Sequence, residues 1–354
     1  MSVVLTRYRL SNAIKCYVSY ALNRLGSVRF LHRTPYTLHI TPYTLHITHY
    51  TLHHTPLFVS VEPAAVCQLK CPECPVGQRQ SSINRTSSIV QSSIPIMPIE
   101  VFRRVLAECR KTAWVIQFYF QGEPLLNKDL PTMIREAHEA GLYTIVSTNA
   151  QAMTPELAEQ LVASGLDRII ISMDGLTDES YNAYRIGGSL EKCKEALKWL
   201  RAAKNRTPYT VHHTPIIELQ VLRLRSNEHE WTQFKREYKA LGADRLVFKT
   251  AQLYDYTNGH PLMPSDPKYS RYIQGKDGHF HRRPLGKGCF RVWSGVVITT
   301  TGDVLPCCYD KAHAHAYGNI METPLAELFA GPRAAAFRKA AFQETPQICK
   351  ECWK

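Results

Sequence analysis

The run Leu57-Phe-Val-Ser-Val-Glu62 and, just beyond it, Cys67-Gln-Leu-Lys-Cys71-Pro-Glu-Cys74 decide how the rest of the 354-residue chain is read. The first is a short apolar run of strand character. The second puts three thiols on one short loop. At that spacing three thiolates can hold three corners of a four-iron cluster and leave the fourth iron open to another molecule, whereas a cube held by four cysteines only passes electrons. Zinc is the competing occupant, but zinc wants four ligands and no fourth lies nearby.

Outward from this loop, strand and helix signals alternate over residues 57–250. A helix is predicted at Ile99–Lys111, a strand at Trp114–Phe120 and a helix at Leu130–Ala140, where Leu130, Met133, Ile134 and Ala137 recur at helical spacing. Tyr143–Ser147 reads as a strand, and Thr154-Pro155 caps and starts the next helix. Leu166–Met173 and Ile216–Leu224 are strands on either side of a helix capped by Ser189. Asn227-x-x-Glu230 has the form of a capping box for a helix to Leu241, and Arg245–Lys249 closes the set. Gly141, Gly165 and Gly242 stand where a left-handed residue ends a helix. Six βα-type units predict an α/β fold with a parallel sheet, an open or partial barrel. Chemistry in such sheets collects at the carboxyl ends of the strands, and the cysteine loop follows the first strand.

The flanks differ in character. Residues 1–61 contain no Asp or Glu but hold Arg7, Arg9, Lys15, Arg24, Arg29 and Arg33, almost half of the net charge of +13. A basic amphipathic helix over Leu10–Leu25 could rest on an anionic membrane surface or pack on the domain. No apolar run approaches the ~18 residues of a membrane span. The cysteines cluster rather than forming a disulfide framework, which points to a cytoplasmic protein, peripheral to the membrane at most. No basic cluster interleaved with aromatics suggests nucleic acid. The unit Thr34-Pro-Tyr-Thr-Leu-His-Ile40 recurs at 41–47, loosely at 48–54, and again at 207–213. It is too short for a solenoid repeat and reads as low-complexity insertion between elements. From 251 to 288 the chain is irregular. Cys289, Cys307, Cys308, Cys349 and Cys352 follow, while Cys16, Cys109 and Cys193 lie on predicted helices as core residues.

The cysteine triplet, the βα units and Gln121-Gly122-Glu123-Pro124 after the second strand resemble the radical S-adenosylmethionine (SAM) superfamily. That resemblance implies a partial (β/α)6 TIM-like barrel over 57–250 and a [4Fe-4S] cluster on Cys67, Cys71 and Cys74. The open iron would bind SAM, which reductive cleavage turns into a 5′-deoxyadenosyl radical. Carried over by position, Gln121, Gly122, Glu123, Ser147, Asn149, Ser172, Asp174 and Arg185 would contact SAM. Glu73 stands where the family usually has an aromatic residue, and Gln121 where it has glycine. Cys289, Gly302, Cys307 and the pair Cys349-x-x-Cys352 are similar to the short, single-cluster SPASM/twitch extension. These four cysteines would saturate an auxiliary [4Fe-4S] cluster in a unit spanning 289–354, beyond a linker at 251–288 and with the basic helix and repeats at 1–56. The implied partners are a flavodoxin or ferredoxin as electron donor and a peptide or a small hydroxylated metabolite as substrate. Tyr254, Asp255 and Tyr256 after the sixth strand, and Asp310 past Cys308, are the candidates to face it. The competing readings are a metal-stabilised scaffold without turnover and a membrane-surface enzyme of cell-envelope substrates.

Overall fold

The computed structural model describes residues 6–26, 54–81, 95–207, 214–283, 288–350 and 352. The first two copies of the repeated heptad and all but Thr207 of the distant copy lie outside the described residues. His54, the last residue of the loose third copy, is buried, stacked on Trp293 and edge-on to Phe329.

Six parallel strands form the centre of the fold: β1 (Phe58–Val61), β2 (Val115–Phe118), β3 (Tyr143–Thr148), β4 (Arg168–Ser172), β5 (Ile216–Arg223) and β6 (Arg245–Thr250). They pair in chain order, Phe58 opposite Val115, Val115 opposite Tyr143, and Ile169 opposite Ile217. The connecting helices are α3 (Ile99–Cys109), α4 (Leu130–Glu139), α5 (Pro155–Ala163), α7 (Leu190–Arg206) and α8 (Trp231–Glu237), with two short ones, α2 (Pro75–Ser81) and α6 (Asp178–Asn182). Thr154 and Ser189 cap α5 and α7 by accepting from the Leu157 and Lys192 amides. Gly141, Gly165 and Gly242 have φ of +72°, +79° and +103°, the left-handed stops the sequence implied. Cys109 and Cys193 are fully buried in the core.

Two local expectations give way. Asn227 and Glu230 form no capping box for α8. The Asn227 amide donates to the Asp174 and Leu222 carbonyls, and the Glu230 carboxylate accepts from the Leu176 amide and the Ser180 hydroxyl. Both side chains fasten the β4 and β5 loops together, because buried loop donors and acceptors outbid a solvent-exposed cap. Residues 251–283 are also more ordered than their composition suggests. They carry a hairpin, β7 (Tyr272–Gln274) and β8 (Phe280–Arg282), and a small second core in which Leu253, Met263 and Tyr272 pack with Leu69, Cys71 and Tyr184.

The sheet does not stop at β1. After the one-turn helix α9 (Arg291–Ser294), β9 (Gly295–Ile298) runs parallel to β1, with Phe58 opposite Gly295. Strands β10 (Asp303–Leu305) and β11 (Gly318–Asn319) follow antiparallel, giving one nine-stranded sheet that β6 and β11 terminate. The expectation of a distinct C-terminal unit from 289 thus meets a sheet that runs through it. Helices α10 (Leu325–Ala330) and α11 (Pro332–Gln343) cover this end.

The N-terminal helix α1 (Arg7–Gly26) packs on the barrel. Its Arg9, which gave the segment part of its surface-binding character, is buried. The guanidinium donates to Gly141 O at 2.6 Å, Ala140 O at 2.9 Å and Arg110 O at 2.9 Å, the carbonyl ends of α4 and α3. Helix C-termini carry unsatisfied carbonyls and partial negative charge, so one cation closes two of them. Cys16 donates its thiol to Trp293 O, and Tyr20 packs edge-on against Phe290. Among the described residues no helix is long and apolar enough to cross a membrane. Arg9→Met is expected to cost about 2–3 kcal/mol, since it removes charged hydrogen bonds to three carbonyls. A urea midpoint unchanged from the parent would show those bonds to be replaceable by water.

Candidate active site at the carboxyl ends of the strands

A cavity of about 530 Å³ opens at the carboxyl ends of the parallel strands. Cys67, Cys71 and Cys74 lie on its wall, on the loop between β1 and α2. The loop is tied down at several points. Lys70 N donates to Ile186 O at 2.9 Å, Cys74 N to Cys71 O at 3.2 Å, and Leu69 N reaches the Cys67 sulfur at 3.4 Å. Burial pushes the Cys67 thiol up to about 12 and Cys71 to about 11. A metal bound there would take the place of those protons.

Gly122 sets how closely the next loop approaches. A Cβ there would lie 2.0 Å from Ala64 O, so only glycine lets the β2 loop lie against the cysteine loop. Glu123 then bridges strands. Its buried carboxylate accepts from the Thr148 hydroxyl, from Asn149 N at 2.8 Å and from Leu125 N at 3.1 Å. Burial raises its pKa, and those three donors pull it back. Glu123 thus holds the end of β3, where Asn149 turns its amide onto the Cys67 sulfur at 3.3 Å. Ala150, next in the chain, has φ +63°, a left-handed conformation that costs a non-glycine residue strain and keeps Asn149 turned.

The predicted site residues separate into two groups. Gln121, Gly122, Glu123, Ser147, Asn149, Ser172 and Arg185 line the cavity with the three cysteines. Asp174 does not: it is fully buried behind the wall, accepting from Arg185 Nε at 2.6 Å and Leu222 N at 2.6 Å. A carboxylate with two such donors holds Arg185 in place beside Cys71, and has no face left toward the cavity. Among the substrate-facing candidates, Asp310 is also fully buried and accepts from the Ala314 and His315 amides at 2.9 Å, so it pins its own loop and does not reach the cavity. Asp255 is exposed and outside the cavity wall. Tyr254 is 41% exposed, and its hydroxyl accepts from Lys311 Nζ at 2.7 Å. Tyr256 stacks on Tyr272 at 4.2 Å.

Several cavity residues went unmarked in the sequence: Lys249, Gln252, Arg271, Arg291, Tyr309 and Lys311. Lys249 was the legible one, since it sits at the carboxyl end of the last predicted strand. Burial lowers the Lys311 pKa, and its ammonium bonds Tyr254 and Gln252. Arg271 joins Thr250 to the Tyr309 hydroxyl. Glu73 accepts from Tyr254 N at 2.8 Å and faces His260 at 3.4 Å, so the residue that departs from the aromatic pattern clasps 251–283 to the cysteine loop.

The second cysteine set is gathered from distant segments. Cys307 is half-buried, its thiol pushed up by desolvation and by the nearby Cys308, Cys352 and Cys289 sulfurs. Cys352 N donates to Cys349 O at 3.3 Å within one turn of chain. Cys308 is half-buried and lines both the main cavity and a smaller one shared with Cys307 and Arg291. Among the described residues no three His, Cys, Asp or Glu side chains converge closely enough to share one metal ion. A cube, whose thiolates stand further apart, does not require that convergence.

The wall suits the cofactors such a site would take. Gln121 gives its Nε2 to Lys311 O at 3.1 Å, which leaves a buried Oε1 without a partner among the described residues. An unpaired buried acceptor is costly and matches an ammonium donor. The Ser147 and Ser172 hydroxyls likewise have no protein partner among the described residues.

Residues 61–218 match the radical SAM superfamily, and residues 289–353 match the SPASM iron-sulfur cluster-binding domain. The chain is 26% identical over 313 residues to a PqqA peptide cyclase of Granulibacter bethesdensis, covering 81% of this chain and 76% of that one. It is 26% identical over 320 residues to an AdoMet-dependent heme synthase of Methanosarcina barkeri, covering 80% and 84%. Among solved structures it resembles anSMEcpe with bound AdoMet, with a TM-score of 0.60 at 20% identity over 84% of this chain and 87% of that one. BtrN in complex with AdoMet and 2-DOIA gives a TM-score of 0.50 at 17% identity over 86% and 95%. The fold and site are those of an enzyme that works through SAM and [4Fe-4S] clusters. The chain belongs to the radical SAM superfamily and carries a C-terminal SPASM domain.

Proposed function

We propose that this protein is a peptide-modifying radical SAM enzyme in which Cys67, Cys71 and Cys74 hold the SAM-binding cluster. Cys289, Cys307, Cys349 and Cys352 hold the auxiliary cluster. The observation that carries this reading is the single cavity whose wall includes the three-cysteine loop at one side and the Cys308-Tyr309-Lys311 segment, next to Cys307, at the other. A substrate there would lie between the loop that would hold the SAM-binding cluster and the segment that follows Cys307. When bound, SAM and its cluster supply hydrogen abstraction, and the auxiliary cluster supplies an electron path. The chain's own residues do the rest. Gln121 Oε1, Ser147, Ser172 and Asn149 orient the cofactor. Glu73 and the 251–283 segment wall off water. Lys311, in the place expected of Asp310 and Asp255 and with its pKa lowered by burial, is the group whose free amine can take a proton from substrate. The peptide assignment is supported by the PqqA peptide cyclase relatives. The net charge of +13 favours an acidic electron donor such as a flavodoxin or ferredoxin.

Anaerobic reconstitution tests the reading. The parent protein is expected to hold about eight irons with matching sulfide and to release 5′-deoxyadenosine from SAM under reduction. Two zinc ions per chain, with no SAM turnover, would instead establish the scaffold reading.

A further inference from the structure

Two cations of the cavity wall remain once its ion pairs are assigned. Arg185 belongs to Asp174, Arg271 to Thr250 and Tyr309, and Lys311 to Tyr254 and Gln252. The two cavity acids are equally spoken for, Glu73 by Tyr254 N and His260, and Glu123 by its three donors. Lys249 and Arg291 also line the cavity, yet among the described residues neither side chain has a hydrogen bond or ion pair.

Their places in the fold say what they are for. Lys249 lies on β6, the strand that ends the parallel set, opposite Leu222 of β5. Arg291 opens α9, immediately before β9 on the far side of β1. The two therefore flank the parallel set, while the candidate cofactor contacts come from the ends of β3 and β4 and the loops after β1 to β4. Like charges facing one concave site raise its potential and select an anion. Arg291 offers a planar fork and Lys249 a point charge, and each suits a carboxylate.

We infer that Lys249 and Arg291 recognise carboxylates of the substrate peptide, Asp or Glu side chains near the modified residue, so that acidic peptides are the substrate class. This rests on the peptide-modifying reading above and goes beyond it by naming the chemistry of the substrate.

The test is fluorescence anisotropy with the reconstituted, SAM-loaded protein and three labelled probes: an alternating Ala/Glu pentapeptide, its Ala/Gln counterpart and its Ala/Lys counterpart. The Glu probe is expected to bind about tenfold or more tighter than the Gln probe, with an advantage that shrinks as salt is raised. Lys249→Met with Arg291→Met should bring the Glu probe down to the Gln level. Lys249→Glu with Arg291→Glu should transfer the preference to the Lys probe. Iron content of each variant confirms that it is folded and loaded. Equal binding of Glu and Gln probes by the parent, or an unchanged preference in the charge-reversed variant, overturns the inference. Citrate binding that depends on both cations, without any preference for the Glu peptide, also overturns it and assigns the carboxylate to a free acid. A parent that fails to cleave SAM sinks the enzymatic reading instead, a result independent of the probe preferences.

Discussion

Cys71→Ala is expected to abolish reductive SAM cleavage while leaving a folded protein that still carries about four irons. The loop around Cys71 is anchored by backbone bonds that do not involve its sulfur, so the side chain can go without the loop unravelling. What is lost is one corner of a cube that has no fourth cysteine to spare. Cys349→Ala supplies the contrast: it should also fall to about four irons, yet keep SAM cleavage and lose product formation. The pair of variants separates the two centres by a count and a rate together. A Cys71→Ala protein that cleaves SAM within about tenfold of the parent, a barrier change of about 1.4 kcal/mol, would remove this thiol from the ligand set.

Glu123→Ala should destabilise the protein by about 3–5 kcal/mol, because it strands buried donors on Thr148, Asn149 and Leu125 at once. Gln in the same place keeps one acceptor but turns an NH2 toward another donor, so its cost should fall between that of Ala and the parent. The functional effect follows from the same geometry. With Asn149 N released, the Asn149 amide no longer has a fixed approach to Cys67, and cluster loading should weaken along with stability. Denaturant midpoints and iron content, measured on the same preparations, check both. Loss of iron with an unchanged midpoint would mean that Glu123 meets the cofactor directly and that its role in holding β3 is minor.

Much of this arrangement is legible in the sequence, for a physical reason. Each βα unit is a local affair: Thr154 and Ser189 cap helices a few residues away, and Gly141, Gly165 and Gly242 end them at once. The cysteine loop is equally local. What the sequence concealed are pairings between distant segments. Nothing near Gly295 says that its strand will lie beside Phe58, and nothing near Asp174 says that Arg185 and Leu222 will occupy both its oxygens. Asp310 looked reactive because it is a carboxylate beside a cysteine, but the two amides it binds are a property of its loop's shape. Glu73 looked like a defect in a motif until His260 and Tyr254 were seen to meet it.

The pairing of β9 with β1 bears on how the chain matures as it is made. The strand that leads into the cysteine loop has β2 on one side soon after synthesis, but its other neighbour is Gly295–Ile298, which is made long afterwards. Helix α1 waits equally long, since Trp293 and Phe290, against which Cys16 and Tyr20 pack, are made with it. Contacts of such sequence separation close slowly and leave an unpaired strand edge exposed meanwhile. Cys67, Cys71 and Cys74 therefore wait beside an unfinished sheet until Gly295–Ile298 has been made, so insertion of iron falls naturally after that strand has left the ribosome.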